Sequence, residues 1–338
     1  MQYHTLIRNA SIIDGSNRPA YSADLGILDG RIERIGDLSA DNADELVDAR
    51  GRVLAPGFID VHTHDDTVVI RQPQMLPKLS QGVTTVIVGN CGISASPVSL
   101  RAEPPDPMNL LGPREAFTYP RFADYRAAVE RAQPAVNVAA LIGHTALRSN
   151  HMDDLHRTAT PDEIAAMRVQ LHESLEAGAL GLSTGLAYAS AFNAETDEVL
   201  QLSEELTAFG AVYTTHLRSE FEPVLEAMDE AFLIGRHAQV PVIISHLKCA
   251  GAGNWGRSPQ LLAALESAAK THPVGCDCYP YAASSSTLDL KQVTDAFRIT
   301  ITWSTPHPEL GGRDLQDIAA EWDVSLMDAA RRLQPAGA

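Results

Sequence analysis

The chain has 338 residues, 45% hydrophobic and 20% charged, a balance that places it among ordinary globular proteins and away from disordered or fibrous ones. Its 43 acidic against 26 basic residues give a net charge of −17, and no basic run of five occurs, which excludes a nucleic-acid footprint. No stretch approaches the ~18 apolar residues of a membrane span, and MQYHTLIRNASIIDG lacks the basic start, apolar core and small-residue cleavage site of a secretory leader.

Residues 1–56 read as a small β domain: YHTLIRNASIIDG and then ADLGILDGRIERIG, with Asp14-Gly15 and Asp29-Gly30 as turn dipeptides. Pro56-Gly57 closes it. From 57 to 338, apolar runs alternate with helical stretches, which is the pattern of βαβ units around a parallel sheet. The strand-like runs cover 57–64, 83–90, 137–144, 180–185, 212–217, 240–247 and 273–281. Among the helical stretches, 161–178 has Thr160 placed to cap it, Pro161 at its first position and Gly178 at its end. The proline-rich segment 101–113 reads as an excursion loop. The fold class expected is α/β, a (β/α)8 TIM-type barrel that is incomplete, truncated after about strand 7, with strand 8 missing.

Barrels of this type collect their chemistry at the C-terminal ends of the strands. The reactive side chains fall there: His62 and His64 end the first run, Asn90-Cys91 the second, His144 the third, His216 the fifth, His246 the sixth and Tyr279 the seventh. Residues i and i+2 of a strand face the same side, so His62 and His64 would reach one object together, most simply a metal. Catalytic zinc takes three protein ligands of nitrogen and thiolate type and keeps a position open for water. Cys91, His216 and His246 supply such a set. The rival chemistry is a Cys91 nucleophile activated by His216 or His144. Cys249, Cys276 and Cys278 are expected to pack passively. Four cysteines are too few for a disulfide framework, which with the lack of a leader points to reduced thiols in the cytoplasm.

The blocks GFIDVHTHDD (57–66), GVTTVIVGNCGIS (82–94), GLSTGLAY (181–188), YTTHLRSE (213–220), ISHLKCAG (244–251) and DCYPYAASSSTL (277–288) occur in this order. Together they resemble the N-acyl-D-amino-acid deacylases, the D-aminoacylase branch of the amidohydrolase superfamily. The resemblance implies zinc-dependent hydrolysis of a small-molecule N-acyl-D-amino acid to a D-amino acid and a carboxylate. It implies a tight zinc on Cys91, His216 and His246 and a second, weaker metal position at His62 and His64. It nominates Lys248, Tyr279 and Ser285 for the substrate's α-carboxylate. Cyclic amidohydrolases of the superfamily bridge two metals with a lysine at the end of the fourth strand, where this chain reads LGLSTG and has none.

The family places its general-base Asp in an SDG motif after the eighth strand, and no SDG follows residue 281. The run 299–303 ends in Ser304-Thr305-Pro306 without an acid, and Asp295, Asp314, Asp317, Asp323 and Asp328 read as helix caps or solvated side chains. The resemblance therefore implies an amino-terminal fragment, with the catalytic Asp expected beyond Ala338. Two other readings stay open: another amidohydrolase, a cyclic amidase or deaminase, and a catalytically inactive metal-binding protein.

Overall fold

A computed structural model describes residues 1–338. The chain divides into two compact units, 1–59 with 80–84, and 60–79 with 85–338. The first holds strands β1 (Gln2–Ile12), β2 (Tyr21–Leu28), β3 (Arg31–Gly36), β4 (Asn42–Asp48) and β5 (Val53–Leu54). They form one sheet in the order β3-β2-β1-β4, with β5 also paired to β1. Tyr3, Leu6 and Leu38 make one buried cluster on it and Ala10, Ile12 and Ala49 another. Asp29 and Gly30 both take positive φ, 51° and 72°, and close the β2–β3 hairpin as the two-residue turn expected of Asp-Gly. Asp14-Gly15 does something different. It opens a longer loop, 13–20, in which the Asp14 carboxylate accepts from the Ser16 N–H and the Arg18 guanidinium.

The large sheet contains β6 (Phe58–Asp60), β7 (Val83–Val88), β8 (Asn137–Gly143), β9 (Gly181–Gly185), β10 (Val212–His216), β11 (Val242–Ile244) and β12 (Val274–Cys276), neighbours in sequence order. Every pair from β7 to β12 is parallel. Helices α1 (Val68–Arg71), α2 (Leu76–Leu79), α3 (Phe122–Ala132), α4 (His144–His151), α5 (Pro161–Glu176), α6 (Thr196–Thr207), α7 (Val224–Ala238) and α8 (Ser258–Ala269) lie between strands. The α5 start carries a full capping box, in which Thr160 accepts from the Glu163 N–H while the Glu163 carboxylate accepts from the Thr160 N–H. All five residues of β9 are buried, as befits a central strand covered on both faces.

The proline-rich segment 101–113 is an excursion loop, anchored at one point. Met108 and Leu111 sit on a short 3₁₀ turn and pack with Ile93, Val98, Phe117 and Ala146 in a buried cluster. The run 299–303 joins no strand of the large sheet. Trp303 and Ser304 form β13, antiparallel to β14 (Ala336–Gly337), and Thr300 bridges Asp314. Helices α9 (Leu315–Glu321) and α10 (Leu326–Leu333) pack with Leu288, Ile301 and Leu310 into a core of their own. Asp314 caps α9 and pairs with Arg298, and Ser325 caps α10 beside Asp328. Cys276 and Cys278 are exposed and Cys249 half-buried, so they do not pack passively in a core: β12 is an end strand of the sheet. No helix is long and apolar enough to cross a membrane.

Candidate metal centre

The turn after β7 sets the centre of the site. Gly89, Cys91 and Gly92 have φ of 80°, 54° and 76°, a left-handed path that glycine tolerates and cysteine does not favour. Ser183 on β9 holds it, accepting from the Gly92 N–H at 3.0 Å and donating to the Gly89 carbonyl. Two backbones meet closely here. A Cβ on Gly92 would lie 2.6 Å from the Gly185 nitrogen, and one on Gly185 2.2 Å from the Cys91 carbonyl oxygen. The strained cysteine is therefore fixed from two sides, and its side chain is 2% exposed.

Four imidazoles surround it. His62 Nε2 lies 3.1 Å and His246 Nε2 3.4 Å from Cys91 Sγ. The ring centroids of His216 and His246 are 4.4 Å apart and those of His62 and His64 5.5 Å. The ligand atoms of Cys91, His216 and His246 all fall within 4.8 Å of one another, as do those of His62, His64 and Cys91. Strand β6 ends at Asp60, so the two histidines of HTH project from the loop beyond it and not from the strand itself. Lys78, paired with Asp60 at 2.6 Å and Asp65 at 3.1 Å, ties that loop down.

The outer nitrogens have partners too. His62 Nδ1 meets Asp277 Oδ2 at 3.3 Å, His246 Nδ1 meets Glu220 Oε1 at 2.9 Å, and His216 Nδ1 meets the Tyr188 hydroxyl at 3.0 Å. Lys248 Nζ joins the pair, 2.5 Å from Glu220 Oε1 and 2.7 Å from His246 Nδ1. His64 Nδ1 is buried with no partner. Burial alone would push the Cys91 thiol up, but hydrogen bonds from His216, His246, His62 and His64 hold it well below its ordinary value. The same contacts act on the rings. Burial lowers His62 and His246, yet Asp277 and Cys91 raise the first to about 10, and Cys91 and Glu220 raise the second to about 8. Glu220, raised by burial, is brought down to about 2 by the His246 hydrogen bond and the charges of His216, Lys248 and His246.

Such a set fits zinc. With Zn–S near 2.3 Å and Zn–N near 2.0 Å, two tetrahedral ligands stand ~3.5 Å apart, close to the 3.4 Å between Cys91 Sγ and His246 Nε2. The rival pairing of Cys91 with His144 is not made. His144 is the first residue of α4, fully buried, and its Nε2 bonds Glu198 at 2.7 Å. Lys248 stands over the Tyr279 ring at 6.0 Å, whereas Ser285 is exposed. Sequence reasoning missed Glu220, Asp277 and Tyr188. Each closes a block already singled out or sits one step past a strand end, Glu220 four residues after His216. What was invisible was the pairing of each with a histidine from another strand or with its outer nitrogen.

The model of the Amidohydrolase family matches residues 45–337, and the chain belongs to that family. Among its relatives, the D-aminoacylase of Alcaligenes xylosoxydans xylosoxydans is 47% identical over 336 residues, covering 99% of this chain and 69% of that protein. The N-acyl-D-aspartate deacylase of the same organism is 47% identical over 334 residues, 98% of this chain and 67% of that one. The solved N-acyl-D-glutamate deacylase of Bordetella bronchiseptica, complexed with zinc and a phosphonate mimic of the tetrahedral intermediate, superposes with a TM-score of 0.95 at 43% identity, covering 100% of this chain and 71% of that one. The chain thus spans about two thirds of the length of these relatives.

Proposed function

We propose that this hydrolase cleaves the amide bond of N-acyl-D-amino acids, yielding a D-amino acid and a carboxylate. In this reading Cys91, His216 and His246 hold a tight zinc, and His62 and His64 a second, weaker one. The observation that carries it is the convergence of one depressed thiol and two imidazoles within 4.8 Å in a chain 47% identical to a D-aminoacylase. Zinc, when bound, supplies a water acidic enough to ionise near pH 7 and polarises an amide carbonyl.

The chain's own groups do the rest. Cys91, held anionic, contributes the charge that favours a cation over an empty pocket. Glu220 Oε1 and Lys248 Nζ both face Nδ1 of His246, at 2.9 and 2.7 Å, and Asp277 faces Nδ1 of His62, so both rings turn Nε2 toward Cys91. Lys248, Tyr279 and Ser285 offer a cation and hydroxyls for the α-carboxylate of the substrate. Glu220 and Asp277 are each engaged by a histidine, and neither is assigned removal of the proton from water. The absence of a lysine in GLSTG of β9 leaves the cyclic-amidase reading without its metal bridge. The engaged state of both carboxylates is what favours the second reading, a metal-binding protein of little turnover. A cytoplasmic location and a small-molecule partner complete the proposal.

The test is stereochemical. Zinc-loaded chain is offered N-acetyl-D-methionine, N-acetyl-D-aspartate and N-acetyl-D-glutamate beside their L-enantiomers. Turnover of the D-enantiomers in preference to the L-enantiomers is expected. Equal handling of both enantiomers, or no binding of either by fully zinc-loaded chain, would overturn the reading.

A further inference from the structure

Glu220 touches more of the site than any other carboxylate. Its Oε1 lies 2.9 Å from His246 Nδ1 and takes Lys248 Nζ at 2.5 Å, its Oε2 lies 3.8 Å from His216 Nε2, and Lys248 Nζ itself stands 2.7 Å from the same His246 Nδ1. Its side chain is only 12% exposed, so water competes little for these contacts. The loop that presents it is pinned. Arg218 clamps Glu230 of α7 at 2.7 and 2.9 Å and donates to the carbonyls of Phe192 and Ala194. The Glu220 carbonyl accepts from the Ala250 N–H at 2.8 Å, joining the loops after β10 and β11.

An imidazole can offer a lone pair on one nitrogen only when the other carries the proton. A carboxylate at Nδ1 favours the tautomer in which Nε2 is free to ligate, whereas an ammonium there favours the other. At His246 the Glu220 carboxylate must therefore draw the Lys248 ammonium to itself, as its 2.5 Å contact does, to keep the proton on Nδ1. His246 has φ of 37°, and Asp277 Oδ1 accepts from its N–H at 2.6 Å, so its strained backbone is held from one carboxylate while its ring faces another. His64 shows the contrast, with Nδ1 buried and unpartnered.

We infer that Glu220 is the positioning residue of the site, fixing His246 with Nε2 toward the metal while holding Lys248 at the mouth, so that one carboxylate couples metal retention to the placement of the substrate-facing cation. The second half of this inference rests on the deacylase reading. The first half does not, because it concerns metal binding alone.

Two measurements on the full 338-residue chain test it without substrate. The first is zinc affinity, by competition with a chromophoric chelator, for the native chain, Glu220→Ala and Glu220→Gln. Orienting partners of metal-bound histidines are worth ~10–100-fold in affinity, and the alanine variant should lose that much. Glutamine still accepts from Nδ1–H, and should recover most of the loss. The second is nitrogen-resolved NMR of His246 in metal-free chain at alkaline pH, where the ring is neutral. The native chain should show the Nδ1–H tautomer and Glu220→Ala a mixture. Should Glu220→Ala fail to fold, the native tautomer and the Glu220→Gln affinity decide. A native Nε2–H tautomer, an alanine variant binding zinc within twofold of native, or a glutamine variant as weak as ~100-fold below native would each overturn it. Failure to hydrolyse any N-acyl-D-amino acid would leave these readouts unaffected and would count against the deacylase reading alone.

Discussion

Removing the Glu198 carboxylate should cost the chain ~3–5 kcal/mol, the penalty of stranding a buried charge. Arg148 and Glu198 are 0% and 1% exposed, and Arg148 Nη1 sits 2.6 Å from both Glu198 oxygens. The guanidinium cannot swing out, because its other branch donates to the carbonyls of Leu155 and Arg157 at 3.1 and 2.7 Å. His144 adds a bond at 2.7 Å. Burial pushes the Glu198 carboxyl up, but the His144 hydrogen bond and the charges of His144 and Arg148 bring it down to about 2 from 4.5. A depression of that size corresponds to ~3 kcal/mol. The sign follows from the depression: the contribution is complete above pH 4.5 and is lost as pH falls toward about 2. Urea midpoints of the native chain and of Glu198→Ala at pH 7 and pH 3 measure both effects. The variant should be several kcal/mol weaker at pH 7, with the gap narrowing at pH 3. A double variant, Glu198→Leu with Arg148→Met, should recover much of the loss because no charge is stranded. A loss below about 1 kcal/mol in Glu198→Ala, or a gap that does not depend on pH, would refute the reasoning.

Gly92→Ala should destabilise by more than ~2 kcal/mol, since a φ of 76° alone costs an L residue ~1–2 kcal/mol and the added Cβ would stand 2.6 Å from a backbone nitrogen; it should also weaken zinc binding, which chelator competition would show. Asp66 carries the opposite pH sign to Glu198. Burial raises its carboxyl from 3.8 to about 6 against the charge of His64 and the N–H groups of Ala95 and Gly89, so its contribution is complete below pH 3.8 and is lost as pH rises through about 6. In metal-free chain Asp66→Asn should therefore gain ~1–3 kcal/mol at pH 8 and nothing at pH 4, and a gain that is the same at both, by urea denaturation, would count against it.

Much of this architecture was legible because its signals are local. Each of the seven apolar runs contains a strand of the large sheet, and Thr160, Pro161 and Gly178 frame α5 by the physics of helix ends. The cluster around Cys91 was legible for a different reason: parallel strands place their C-terminal ends together, so residues far apart in sequence meet. Other features depend on partners that a sequence does not name. His144 stood at a strand end like the site histidines, yet it begins α4 and turns to Glu198, because α6 brings a buried acid to it. The excursion loop of 101–113 was legible from its prolines, but its anchoring by Met108 and Leu111 in a buried cluster was not, because two apolar residues in a loop do not name their partners. Glu220 and Asp277 were hidden since an acid near a histidine in sequence is common, and only the fold shows which ring it orients.

The most direct test of the central claim is the absorption spectrum of the chain loaded with one equivalent of cobalt(II) in place of zinc. Cys91, His216 and His246 predict intense visible bands of a four-coordinate ion together with a near-ultraviolet thiolate-to-metal band. Both should vanish in Cys91→Ser and persist when the exposed Cys276 or Cys278 is replaced. Weak bands without a thiolate transition, or a spectrum untouched by Cys91→Ser, would contradict the account.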